Sequence, residues 1–307
     1  MARFGPVVTA MVTPFDDDFG VDYDAAVILA RWLVDHGSTG LVLAGTTGES
    51  PTLTDDEKLE LFRTVAEAVT VPVVAGVGSA DTRHSVELTR AATACGVAGV
   101  LVVNPYYSRP SQAGLFAHFQ AVAAANELPV VIYDIPPRTG RKVATATLVA
   151  LAREVPNVVA VKDATANPPE SARLLAQTPE RFELYSGDDA FTLPLLAVGA
   201  VGVISVASHW AGPSMAAMIE CFTTGDVAGA RHHNAQMLPS FSFETGDDAP
   251  NPIPTKAMMR VLGQRVGQCR PPMGPAPDGL EDRARQVHAE LTGSDESEDF
   301  ATREGSS

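Results

Sequence analysis

Short apolar runs rich in valine, leucine and isoleucine recur along the chain, and stretches of helical periodicity separate them. The runs are "PVVTAMVT" (6–13), "GLVLA" (40–44), "VPVVAGV" (71–77) and "AGVLVV" (98–103), then "LPVVIYD" (128–134), "VVAVKD" (158–163), "FELYSG" (182–187) and "GVISVA" (202–207). Their continuous apolar character predicts strands buried on both faces, as in a parallel sheet covered by helices. Between them, "YDAAVILARWLVDHG", "TDDEKLELFRTVAEAV" and "RHSVELTRAATACG" carry the pattern of amphipathic helices. The second opens with Thr54 followed by Asp55, Asp56 and Glu57, an N-cap with acids at the positive helix end.

Eight such units with no composition break before about residue 225 predict an α/β fold, a (β/α)8 TIM barrel. An open doubly wound sheet is the structural alternative. It usually carries a GxGxxG turn after its first strand, and the sequence has none. Beyond residue 225 the strands stop and the pattern turns helical: "GDVAGARHHNAQMLPSF", "NPIPTKAMMRVLG" and "LEDRARQVHAEL". The expected organisation is a catalytic barrel over 1–225, a C-terminal helical region over 226–292 and a disordered acidic tail over 293–307.

A hydrophobic content of 45% suits a substantial globular core, and no apolar stretch is long enough for a membrane helix. The start, "MARFGPVVTAMVTPF", reads as a first strand rather than a signal peptide. The formal charge of −15 disfavours nucleic acid and anionic membranes as partners. Three dispersed cysteines (Cys95, Cys221, Cys269) fit a reduced cytoplasm and argue against a disulfide framework. Seven histidines give no HxH or HExxH pattern, and the adjacent His232 and His233 point in different directions on a helix, so no metal site is expected.

Barrel enzymes carry their chemistry at the C-terminal ends of the strands. Lys162, one of only four lysines, stands there in the sixth strand. Strict alternation puts it on one face with Ala160 and Val158, and Val159, Val161 and Asp163 on the other. Burial disfavours an ammonium, and a neutral amine attacks carbonyls to form a Schiff base. A lysine snorkelling to the rim or paired with a carboxylate is the competing account, and position alone leaves both open. Tyr133 ends the fifth strand, either as a proton donor and acceptor or as a rim tyrosine with its hydroxyl in water.

"GTTGES" (45–50) follows the second strand and offers N–H groups and hydroxyls to a small anion, or is simply a tight turn. It lacks the Walker lysine, so a carboxylate is expected there rather than a nucleotide. "NPYYSRPSQ" (104–112) sets exposed paired tyrosines beside Pro105 and Pro110, suggesting contact with a neighbouring subunit. In "IPPRTG" (135–140), Arg138 is placed either to grip a carboxylate in bidentate fashion or as a surface arginine in a turn.

"GTTGES", "NPYYSRPSQ", "YDIPPRTG", "VKDAT", "SGDD", "GVISV" and "NPIPTK", in this order and spacing, resemble the dihydrodipicolinate synthase family, pyruvate-dependent class I aldolase-like lyases. The resemblance spans about residues 4 to 290. It implies that Lys162 forms an imine with pyruvate. It implies that Tyr133 moves protons in a relay with Thr46 and with Tyr107 of an adjacent subunit. Thr47 and the Ile204 backbone would hold the pyruvate carboxylate, and Arg138 the carboxylate of a second substrate, aspartate 4-semialdehyde. The implied product is 4-hydroxy-tetrahydrodipicolinate, on the route to diaminopimelate and lysine. The implied assembly is a homotetramer, a dimer of dimers, with no metal or organic cofactor.

Arg138 separates this reading from sibling aldolases acting on sugar-acid or sialic-acid type substrates, which share the lysine and tyrosine. The third possibility is a non-catalytic ligand-binding barrel. Family members inhibited by lysine often carry histidines after "GTTGES" and an asparagine and a glutamate after the third strand. The matching positions here are Asp55, Lys58, Ala80 and His84, while Ser50 and Tyr106 are retained. Loss of the carboxylate at position 84 implies weak or absent feedback by lysine.

Overall fold

The computed structural model describes residues 2–293. Eight parallel strands close into a barrel in chain order, the last pairing with the first. They are β1 (Val7–Ala10), β2 (Gly40–Leu43), β3 (Val73–Gly76), β4 (Gly99–Val103), β5 (Val130–Asp134), β6 (Val158–Asp163), β7 (Glu183–Ser186) and β8 (Gly202–Ser205). Every predicted apolar run holds one strand. The acidic tail, expected to be disordered, lies outside the described residues except for Gly293.

Alternation sorts the strand side chains into two cores. Val8, Ala10, Val42, Val74, Leu101, Val131 and Ala160 fill the barrel together with Tyr133, Tyr185 and Ile204. Leu41, Leu43, Val73, Val100, Val130 and Val161 face outward and pack under the helices. Such burial stabilises by roughly 1.5–3 kcal/mol per large aliphatic side chain, which explains why both strand faces are apolar. The helix Asp55–Ala68 starts at Thr54, whose hydroxyl accepts from the Glu57 N–H (3.2 Å) while the Thr54 N–H donates to the Glu57 carboxylate (2.8 Å). This is a complete capping box.

One expectation fails in β6. Val158 does not share the face of Lys162: it packs in the outer core, and Val159 packs in the inner one. The register explains this, since Val130 pairs with Val158 but the next residue, Val131, pairs with Ala160. The extra residue shifts the alternation by one position before Ala160. From Ala160 onward the pattern holds, with Ala160 and Lys162 inward and Val161 and Asp163 outward.

The helices Ser208–Thr224, Val227–Phe243, Ile253–Val261 and Leu280–Thr292 share a second outer core with Val7 of β1 and Val203 of β8. They are therefore fastened to the barrel wall. Their position matters for the site, because Ile253–Val261 sends Lys256 toward the loop after β2.

Candidate active site

Tyr133 and Lys162 are cross-strand neighbours at the upper ends of β5 and β6. Both point inward and both are 5% exposed. The Lys162 amine lies over the Tyr133 ring, 4.3 Å from its centre. Burial pushes the amine down to about 8, opposed by the carboxylates of Asp189 and Glu244 and assisted by the Arg138 cation. Burial pushes the Tyr133 phenol up to about 12, with Asp188 acting in the same direction and Arg138 and the Thr46 hydroxyl opposing it. The space at Lys162 is guarded by Gly187, where an added Cβ would stand 3.0 Å from Lys162 Cγ. A larger residue there would press on the Lys162 stem and on Ala164 at once.

Asp163 does not pair with Lys162. Its carboxylate accepts from the Ser171 hydroxyl (2.6 Å) and the Thr165 N–H (2.9 Å) on the outer side of the strand. Among the described residues the Lys162 amine forms no ion pair, which removes the salt-bridge reading of this lysine.

A cavity of about 240 Å³ opens beside Tyr133, with Thr46, Tyr106 and Arg138 in its wall. Arg138 stands in the short helix Pro136–Thr139, exposed, with no hydrogen bond or ion pair on its guanidinium among the described residues. A fork-shaped cation held over a cavity without a partner suits a carboxylate ligand. Thr47 and Ile204 are 2% exposed and lie outside this wall, Ile204 on β8 within the inner core. The pair Tyr106 and Tyr107 splits: Tyr106 lines the cavity, whereas Tyr107, at φ +70°, projects away with 95% of its surface exposed. The expectation of two exposed tyrosines is thus corrected to one.

The loop "GTTGES" is held in a conformation that side chains rarely adopt. Ala44 and Glu49 have φ of +49° and +56°, and strain of this kind persists only under outside support. Thr13 donates to the Gly48 carbonyl (2.7 Å), and Asn251 donates to the Thr47 hydroxyl (2.9 Å). Glu49, 3% exposed, forms an ion pair with the fully buried Lys256 (2.8 Å) and accepts from the Arg270 N–H (2.8 Å). Among the described residues the N–H groups of Thr46, Thr47 and Gly48 find no acceptor, so they stand ready for an anion.

Glu49, Asn251, Lys256 and Gly187 were not foreseen as site residues. Their motifs stand out in sequence, but their partners come from distant elements. One signal was present: lysine is scarce here, and Lys256 sits in a segment rich in proline and apolar residues.

At the positions matched to lysine feedback, Asp55 is occupied within the chain. His84 Nε2 lies 2.8 Å from its carboxylate and Lys58 Nζ 3.7 Å. Ser50 and Tyr106 face the same cavity as Tyr133.

The pattern of the dihydrodipicolinate synthetase family matches residues 3–292. The 4-hydroxy-tetrahydrodipicolinate synthase of Moorella thermoacetica is 50% identical over 275 residues, covering 88% of this chain and 92% of that one. The same enzyme from Synechocystis sp. is 48% identical over 291 residues, covering 94% and 96%. Among solved structures, dihydrodipicolinate synthase from Cyanidioschyzon merolae with lysine bound superimposes with a TM-score of 0.91 at 43% identity, covering 95% of this chain and 99% of that one. Sequence identity of this extent, over a barrel that brings the motif residues to one rim, shows that the chain belongs to the dihydrodipicolinate synthetase family.

Proposed function

We propose that the chain condenses pyruvate with L-aspartate 4-semialdehyde through a Schiff base on Lys162, giving 4-hydroxy-tetrahydrodipicolinate. One observation carries the reading: a buried, unpaired amine, lowered to about 8, lies over Tyr133, and Tyr133 lines a cavity that also bears Arg138. At neutral pH about a tenth of such an amine is uncharged, roughly 300-fold more than for an ordinary lysine. The relatives named above for this activity support the same reading.

In this account the Lys162 amine adds to the pyruvate ketone, and the Tyr133 hydroxyl supplies the proton with which the carbinolamine oxygen leaves as water. The iminium acidifies the pyruvate methyl, and the resulting enamine attacks the aldehyde. The amine of the adduct then attacks the imine carbon, closes the ring and releases Lys162. The iminium is itself the electron sink, so the steps call for no metal or organic cofactor.

Tyr133 passes protons through Thr46 to Tyr107 of an adjacent subunit, a role that suits the outward projection of Tyr107 from its own chain. Thr47 and the Ile204 backbone hold the pyruvate carboxylate, with the free N–H groups of "GTTGES" at hand. Arg138 binds the carboxylate of the semialdehyde. We place the working assembly as a homotetramer, a dimer of dimers, and the compartment as the reducing cytoplasm, where its three free cysteines persist. No helix among the described residues is long and apolar enough to cross a membrane.

Product formation from pyruvate with aspartate semialdehyde, compared with sugar aldehydes, tests the substrate. Preference for the semialdehyde is expected. Faster turnover of a sugar aldehyde would assign the chain to the sibling aldolases.

A further inference from the structure

Two loops at the rim carry groups that act beyond the pyruvate imine. "NPYYSRPSQ" (104–112) presents Tyr107, and "IPPRTG" (135–140) presents Arg138. The first loop is strained: Tyr107 and Arg109 stand at φ of +70° and +50°, where residues with a Cβ are uncommon. Within it the Ser108 N–H donates to the Tyr106 carbonyl (2.8 Å), a single short turn. Strain of this kind persists only where the surroundings hold it.

That support comes from the chain on either side of Arg138. Asn104, fully buried, opens the loop, and its amide nitrogen donates to the Asp134 carboxylate (2.9 Å) and to the Arg141 carbonyl (2.8 Å). Both neighbours are acceptors, so the amide faces them with its nitrogen and not its oxygen. The Arg141 carbonyl also accepts from the hydroxyl of Thr139 (2.9 Å), the residue next to Arg138. Gln112 closes the loop in the same manner. Its nitrogen donates to the Lys142 carbonyl, and its oxygen accepts from the Ala144 N–H and the Thr147 hydroxyl, each at 2.9 Å. Between the two amides, the Arg141 guanidinium donates to the carbonyl of the strained Arg109 (3.0 Å).

A side-chain amide that merely caps a turn bonds within its own segment. These amides instead reach partners 30 to 37 residues further on. The loop of Tyr107 is thus fastened at its start, middle and end to the segment that carries Arg138. Asn104 lies outside the cavity wall, so any influence on the reaction passes through the loops it joins.

We propose that Asn104 is a positioning residue that locks the loop of Tyr107 to the loop of Arg138, setting the proton relay and the second-substrate site as one unit. The inference rests on the roles proposed for Tyr107 and Arg138. Lys162 takes part in none of these contacts, so imine formation with pyruvate is left alone.

The test is Asn104→Ala, alone and combined with Tyr107→Phe or Arg138→Ala, read by semialdehyde kinetics and by reductive trapping of pyruvate. A shift of about 1 Å in a positioned group costs up to about 100-fold, so Asn104→Ala should lower kcat and raise the semialdehyde KM by about fivefold or more each. Trapping of pyruvate on Lys162 should be unchanged. With Tyr107→Phe the effect on kcat should vanish, and with Arg138→Ala the effect on KM should vanish. Full effects in those backgrounds would overturn the proposal. So would trapping that falls in step with kcat, which marks a general loss of folded sites. Hydrogen exchange gives a second readout that needs no substrate: amides of 105–111 and of 136–143 should exchange faster together in Asn104→Ala. Gln112→Ala, which frees the other end of the loop, should do the same and serves if Asn104→Ala does not fold. Faster exchange in one loop alone would overturn the lock. Failure of the unaltered chain to trap pyruvate or to turn over the semialdehyde would instead refute the reading of the site, while exchange still reports on the lock.

Discussion

Replacing Lys256 with methionine removes a cation that has no contact with the chemistry yet holds the loop on which the chemistry depends. The Lys256 ammonium lies 2.8 Å from Glu49, donates to the Gln268 carbonyl (3.0 Å) and sits 4.0 Å over the centre of the Phe15 ring. The two side chains are 1% and 2% exposed. Without Lys256, Glu49 is left as a buried charge with the Arg270 N–H and the Cys269 thiol as its remaining donors and no cation paired with it. Breaking one half of a buried pair costs about 3–5 kcal/mol. For a chain of 307 residues about 1.5 °C is lost per kcal/mol, so the melting temperature should fall by roughly 5–8 °C. The double variant Lys256→Met, Glu49→Gln carries no stranded charge and should recover more than half of that loss. Calorimetry of the single and double variants checks this, and the pyruvate KM should rise in the single variant because Thr46 and Thr47 share the loop with Glu49. A double variant no more stable than Lys256→Met alone would refute the argument, since the loss would then come from packing rather than charge.

Because desolvation lowers Lys162 to about 8, the rate of imine formation should climb with pH and level off above that value, with Lys162→Arg inactive throughout. A flat profile down to pH well below neutrality would contradict it. Arg138→Ala should raise the semialdehyde KM tenfold or more, about 1.4 kcal/mol, and leave reductive trapping of pyruvate intact; equal loss in both would reassign the residue. Tyr107→Phe and Tyr133→Phe should each lower kcat by about 10² or more, and mixing the two inactive chains should restore part of it, since each shared site takes one tyrosine from each chain. No recovery would rule out the relay between subunits. Lysine should inhibit weakly, because Asp55 is already engaged by His84 and Lys58; half-inhibition well below millimolar lysine would show otherwise.

The barrel was legible because parallel strands covered on both sides leave an unbroken apolar signature. Lys162 and Tyr133 were legible for the same reason, as polar residues at the upper ends of strands that are otherwise apolar up to their final aspartate. The face of Val158 was not legible: the register irregularity against Val130 and Val131 depends on pairing between strands, which alternation within one strand does not encode. Nor could the sequence say which of Tyr106 and Tyr107 turns inward, since that follows from the backbone at Tyr107. The pairs Glu49–Lys256 and Thr47–Asn251 join segments far apart in the chain. Each residue reads as an ordinary polar one until the fold brings its partner alongside.

The central claim is that Lys162 is a nucleophile and not a structural cation. Incubating the chain with pyruvate and borohydride, then locating any covalent adduct by peptide mass spectrometry, measures this directly. The account predicts one reduced pyruvate adduct per chain, on the peptide containing Lys162 and absent without pyruvate. An unmodified Lys162, or an adduct on Lys58, Lys142 or Lys256 instead, would contradict it.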